Sequence, residues 1–205
     1  MARDDERTAR ACEPPIVGSL PDVPGILAAM RLTPSLERHL RGLADALLVE
    51  DFPGATISRA ERELIATAVS AGNDCFYCMD SHGAFASELL DRDGVRGVSG
   101  LVDGVKSGGS EGLSPKVAAL VEIARAVRRD PRAVSREEVE RALEEGATDA
   151  DTQLAVLIAA AFCMYNRMVD GLRAPTPPSA AAFRERATQI AEHGYSASQV
   201  TAIPR

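Results

Sequence analysis

The fold and chemistry of this chain turn on Glu63-Leu-Ile-Ala-Thr-Ala-Val-Ser-Ala-Gly-Asn-Asp-Cys75-Phe-Tyr-Cys78-Met-Asp-Ser-His82. The stretch holds two of the four cysteines and one of the three histidines. Cys75 and Cys78 are spaced C-x-x-C, and His82 follows four residues after Cys78. On a helix the three positions share one face, at i, i+3 and i+7. Two thiols one turn apart can close a disulfide and reopen it, and an imidazole one turn further on can take a proton from Cys78. Glu63 adds a carboxylate on the preceding segment. A dithiol, a base and an orienting acid within twenty residues are the parts of a thiol-based redox centre. Against this stands the ordinary fate of a helical Glu, which is solvation.

The surrounding segments read as helices. Thr33-Pro34 is a start signal, and Leu36, Leu40, Leu43 and Leu47 keep a helical period to about Val49. Ser58-Arg-Ala-Glu61 matches a capping box and opens a helix that Gly72 stops. On it Glu63, Ala66, Thr67 and Ser70 make a face of small or polar side chains, open to close approach by a neighbouring helix. Asn73 or Asp74 is placed to cap the next helix, with the thiols in its first turn, where the positive end of the helix dipole favours thiolate. A short helix is expected near 95–104, and the Gly- and Ser-rich run at 106–112 reads as a loop. Ser114-Pro115 and the capping box Ser135-Arg-Glu-Glu138 open two more helices. Thr148 starts a long apolar one, and Ser179 caps a last helix to about His193 after a Pro-rich linker. No alternating strand pattern and no repeat is found. The class is all-α, with about eight helices.

Residues 1–24, charged and then rich in proline, read as a flexible N-terminal arm carrying Cys12 as an incidental thiol. Residues 25–205 form the helical domain, with the redox centre at 63–82 and a docking helix at 179–193 that fits its own subunit or a neighbour. Cys163 falls in the apolar helix as a small core residue. His39 and His193 are read as surface residues. The chain has 205 residues and a net charge of −7. No basic patch interleaved with aromatics exists, which argues against nucleic acid as a partner. The start lacks an apolar leader, and the longest apolar run, 154–164, is short for a bilayer, so no membrane association and a cytoplasmic location are expected. There a C-x-x-C is more in keeping with catalysis or metal binding than with a structural disulfide.

At Glu63, Cys75, Cys78 and His82 the sequence resembles the alkylhydroperoxidase D (AhpD)-like family of the carboxymuconolactone decarboxylase superfamily. The run from Glu61 to Cys78, the run Tyr165-Asn-Arg-Met-Val-Asp-Gly-Leu172 and the helix containing Phe183-Arg-Glu-Arg-Ala are similar to its peroxidase-related branch. The resemblance spans about residues 22–195. It implies an AhpD-like multi-helix domain in a homo-oligomer (dimer, trimer or hexamer), active at the start of the C-x-x-C helix. It also implies a thiol-dependent peroxidase for alkyl hydroperoxides or hydrogen peroxide, with no metal and no other cofactor. Cys78 would be the peroxidatic thiol, Cys75 the resolving one, His82 a proton relay and Glu63 its base or orienter. The partners implied are a small hydroperoxide and an external dithiol reductant, a protein or a lipoyl-type group. One departure stands out: the best-studied branch has a relay His before the second Cys, and this chain has Tyr77. Read from the residues alone, Cys78 should meet His82, and Cys75 should be the more exposed thiol. Three alternatives remain: a zinc site on Cys75, Cys78 and His82 with no evident fourth ligand, decarboxylase chemistry, and a non-catalytic helical oligomeric module.

Overall fold

The helix built on the Ser58 capping box is the most deeply buried in the molecule. In this computed structural model, which describes residues 14–177 and 179–197, the Ser58 hydroxyl accepts from the Glu61 N–H and the Glu61 carboxylate accepts from the Ser58 N–H. Those two bonds satisfy donors that a helix start leaves orphaned. Nine α-helices follow one another among the described residues, with no strand: α1 (Ile26–Arg31), α2 (Pro34–Leu48), α3 (Arg59–Gly72), α4 (Phe76–Arg92), α5 (Val98–Lys106), α6 (Pro115–Arg129), α7 (Arg136–Glu144), α8 (Asp149–Gly171) and α9 (Ala180–Ala197). The fold is all-α, as the periodicity predicts. The addition is α1. It has six residues, too few to show a period, and starts at Gly25, which has no side chain with which to signal a cap.

Most of α3 is buried, its polar members Arg62, Glu63, Thr67 and Ser70 included. The Ala66, Thr67 and Ser70 face lets α4 pack closely against it, and a three-residue turn joins the two helices as a hairpin. α8 and α6 pack on α3 and complete the main core around Leu64, Ile65, Leu120, Leu154, Ile158 and Phe162. α8 has 23 residues and a window of mean hydropathy 1.3, enough by length to cross a bilayer, yet half of that window is buried inside the fold. Its start is fixed by Asp151, whose buried carboxylate accepts from Thr148 N–H and also from the Thr56 and Ile57 N–H groups.

α9 packs on α4 and α2 of its own chain. Its regular part ends at Gly194, which takes φ 72°, ψ −172°, a conformation open to glycine almost alone. Residues 14–24 lie against the domain: the Ile16 N–H donates to the Leu172 carbonyl, and Val23 is buried. The first thirteen residues of the arm read from the sequence, Cys12 among them, lie outside the described residues.

Candidate active site

Cys75 is itself the N-cap of α4, so neither Asn73 nor Asp74 takes that role. Asp74 has φ 55°, and the Cys75 N–H donates back to the Ser70 carbonyl, closing the end of α3. This tight reversal presents both thiols at the helix start. The Cys75 thiol donates to Cys78 Sγ at 2.8 Å. That hydrogen bond, followed by burial, pushes the Cys75 thiol far above its ordinary value, so Cys75 keeps its proton at neutral pH.

Behind the thiols, His82 Nδ1 lies 2.7 Å from Glu63 Oε2. The imidazole packs edge-on against Phe162, with ring centroids 4.5 Å apart, and against Phe85 at 5.2 Å. These rings hold it at an angle that turns Nδ1 to the carboxylate. Glu63 is only 1% exposed. An ionised carboxylate at that depth needs donors on both oxygens. The second donor is the Tyr195 hydroxyl, 2.5 Å from Glu63 Oε1 and 3.4 Å from His82 Nδ1. Burial, the Glu63 charge and this hydrogen bond keep the Tyr195 phenol well above its ordinary value, so it is a proton donor at neutral pH.

A cover lies over the dithiol. Val23, Leu27 and Ala28 from the α1 region, Tyr77, Val169, Ala174 and Phe183 form one apolar cluster with Cys75 and Cys78. Gly25 anchors that cover. Its φ is 56°, its N–H donates to the Pro175 carbonyl at 2.7 Å, and a Cβ there would fall 1.9 Å from Tyr77 Cζ. Beside the cover is a cavity of about 50 Å³, lined by Tyr77, Ser81, His82, Phe85, Arg186 and Tyr195 among others, but by neither cysteine.

The model of the carboxymuconolactone decarboxylase family matches residues 34–90, a span that contains Glu63, Cys75, Cys78 and His82. Among solved structures, an uncharacterized peroxidase-related protein from Ralstonia eutropha JMP134, described as an alkylhydroperoxidase AhpD core, is 26% identical. It aligns over 78% of this chain and 79% of its own, with a TM-score of 0.66. The chain is similar to the carboxymuconolactone decarboxylase family over residues 34–90, and in fold to an AhpD core. An uncharacterized peroxidase-related protein from Silicibacter sp. TM1040 shares the fold at 21% identity, with a TM-score of 0.64 over 80% of this chain and 90% of that one. No curated protein matches the chain.

The four residues picked from the sequence form two pairs, Cys75 with Cys78 and Glu63 with His82. Two expectations are corrected. Cys75 is not the outer thiol: it is 0% exposed and Cys78 2%, because the α1 region and Phe183 close over the helix start. His82 does not hydrogen-bond Cys78. The helical spacing holds, but its ring is turned to Glu63 and Phe162. Among the described residues no three His, Cys, Asp or Glu side chains are grouped as a metal site would need. Tyr77 packs its ring into the cover and points its hydroxyl to the Pro24 carbonyl, and burial pushes its phenol up to about 12. Cys163 is half-buried and accepts from Asn73 Nδ2 at 3.7 Å. Sequence reasoning missed Tyr195, whose one signal was its position just after the helix-breaking Gly194.

Proposed function

We propose that this chain is a thiol-dependent peroxidase that reduces small hydroperoxides with the Cys75–Cys78 dithiol. The observation that carries the reading is the pairing of two thiols 2.8 Å apart at a helix start, with His82 one turn on from Cys78 held by the buried Glu63 carboxylate. Cys78, which receives the Cys75 hydrogen bond, is the nucleophile. Its thiolate attacks the outer peroxide oxygen, the S–O bond forms, the O–O bond breaks, and the leaving alkoxide takes a proton to become the alcohol. His82, oriented by Glu63, carries that proton. The Cys75 sulfur then attacks the Cys78 sulfenic acid. The disulfide forms, and the hydroxyl leaves as water with the Cys75 proton. Closing the bond brings the sulfurs from 2.8 Å to about 2.05 Å. Two thiols of an external protein or lipoyl-type dithiol return both cysteines to the reduced state and leave as a disulfide.

The cavity beside His82 is large enough for a few water-sized groups, since a water needs only about 10–15 Å³, but neither thiol lines it, so a peroxide must pass beyond it to reach Cys78. A cytoplasmic setting and a homo-oligomer belong to the same proposal. A second reading, a non-catalytic helical module, is favoured by one observation, the complete burial of both thiols.

The test is peroxide consumption with several dithiol donors by wild type and Cys78→Ser side by side. Turnover by wild type that Cys78→Ser abolishes is the expected result. In Cys75→Ser a sulfenic-acid probe should label Cys78 after peroxide. Labelling of Cys75 instead, in the reciprocal Cys78→Ser variant, would reverse the two roles. Buried, unreactive thiols and no turnover with any donor would favour the module.

A further inference from the structure

The last described turn of the chain is built to deliver one hydroxyl to Glu63. At Gly194 the helical path breaks, and a Cβ there would come within 2.8 Å of Asp45 Oδ1. The following backbone is then clamped from α2. Asp45 accepts from the Tyr195 N–H at 2.5 Å and from the Ser196 N–H at 2.8 Å, and the Arg41 guanidinium donates to the Tyr195 carbonyl. With its main chain held on both sides, the Tyr195 side chain points inward. Its ring lies nearly parallel to the His82 ring at 6.1 Å and edge-on to Phe85 at 6.0 Å. Its hydroxyl reaches Glu63 Oε1 across 132 residues of sequence. A packing tyrosine needs no such anchoring of its backbone, and a glycine break followed by a double clamp specifies where the phenol oxygen sits.

We propose that Tyr195 is a positioning residue of this active site, acting through Glu63 to set the proton inventory of His82. The phenol has one proton and donates it to Oε1, so the carboxylate is held as an acceptor and its other oxygen faces His82. His82 then carries its proton on Nδ1, donating to Oε2, and Nε2 is left as the basic nitrogen of a ring that lines the cavity. The charged groups around this trio are few. Arg59 stands on α3 with Glu63, Arg186 on α9, Arg41 and Asp45 on α2, and the Cys78 thiol one turn from His82 on α4. Without the phenol proton, Glu63 has one donor in place of two and pulls harder on the His82 proton. The imidazole then holds its proton to higher pH than in wild type and serves less well as a base. The kinetic consequence rests on the peroxidase reading above, whereas the effect on His82 does not.

The test is NMR titration of His82, one of only three histidines, assigned by loss of its signal in His82→Gln. In wild type the proton of the neutral ring should sit on Nδ1, facing Glu63. Tyr195→Phe keeps the ring stack, and it should raise the His82 midpoint by about one pH unit, the scale of a lost hydrogen bond to a charged group. The acid limb of peroxide-driven Cys78 oxidation should move up with it, slowing that step at pH 7 but much less at pH 9. A role in packing alone would lower the melting temperature and leave the midpoint in place; an unmoved midpoint overturns the assignment. If Tyr195→Phe does not fold, Gly194→Ala keeps the phenol and every charge but strains the break that places it, at φ 72° with the new Cβ 2.8 Å from Asp45 Oδ1. It should shift the midpoint the same way, and an unchanged midpoint there overturns the assignment equally. A moved midpoint in a wild type that consumes no peroxide supports Tyr195 and refutes the peroxidase reading alone.

Discussion

Replacing Gly25 by Ala should unlatch the cover over the dithiol. Gly25 holds φ 56°, ψ −129°, a region that an L side chain enters only at a cost of about 1–3 kcal/mol. The new Cβ would also fall about 2 Å from three atoms of the Tyr77 ring, so the ring or the loop must move. Tyr77 is 9% exposed, and taking a ring of that size out of its apolar contacts loses a further ~2 kcal/mol. Part of the strain will relax, which leaves about 3 kcal/mol less holding the covered state. Since 1.4 kcal/mol is tenfold, the open fraction rises on the order of 100-fold. The assay is iodoacetamide labelling of Cys75 and Cys78 under native conditions in a Cys12→Ser, Cys163→Ser background. A modest fall in melting temperature should accompany it, because the rest of the core is untouched. Equal labelling rates with and without Gly25→Ala would refute the reasoning, as would a lower melting temperature with the thiols still protected.

Three further outcomes are expected. Mild peroxide treatment should remove two hydrogens from the peptide carrying Cys75 and Cys78, and dithiothreitol should restore them; mass spectrometry mapping the change to Cys163 would refute the pairing. Asp151→Ala strips a buried carboxylate of bonds from Thr56, Ile57 and Thr148, leaves those N–H groups unpaired and should cost ~3 kcal/mol, or about 10 °C in melting temperature. Burial alone would raise the Asp151 carboxyl, but those donors hold it below its ordinary value, so its stabilisation is complete above about pH 4 and fades as pH falls through the lower folded value. The gap between wild type and Asp151→Ala in urea denaturation should therefore be constant from pH 7 to pH 5 and narrow in stronger acid. Light scattering should give a mass above the 21.7 kDa of one chain, and a monomer at working concentration would refute the homo-oligomer.

What was legible in the sequence was local. Ser58 and Ser135 announce their helices because a capping box is a four-residue device, and both boxes form as read. Thr33 marks the right boundary without making the bond: its side chain caps nothing, and Pro34 supplies the start. The pairing of Glu63 with His82 was half legible. The small and polar face of α3 predicts close approach of the next helix, and that approach takes Glu63 out of solvent. The direction of the His82 ring was not, since i, i+4 spacing fixes where Cβ lies while χ angles follow the neighbours, here Phe162 from a helix 80 residues on. The cover over the thiols was illegible for the same reason. It depends on Val23, Tyr77 and Phe183 meeting, and no short-range pattern joins them.

The burial of Glu63 shows how a missing residue could have been sought. A carboxylate has two oxygens, and one that is 1% exposed must have each of them satisfied or lose its charge. In the structure residues 63–82 give the carboxylate one side-chain donor, His82 Nδ1, because the Thr67 hydroxyl donates to the Glu63 carbonyl instead, and the second donor comes from outside the stretch. Only a side chain with a free hydroxyl or N–H, on a segment that can approach α3 and α4 together, meets that need. α9 packs on α4 directly, and the Gly194 break turns its end back toward Glu63. Of the residues just beyond the break, Tyr195 has the reach to cross to a buried oxygen while filling the space between with its ring. The pairing of the acid with the base therefore depends on a segment more than a hundred residues away, and the C-terminal helix is part of the site as well as part of the fold.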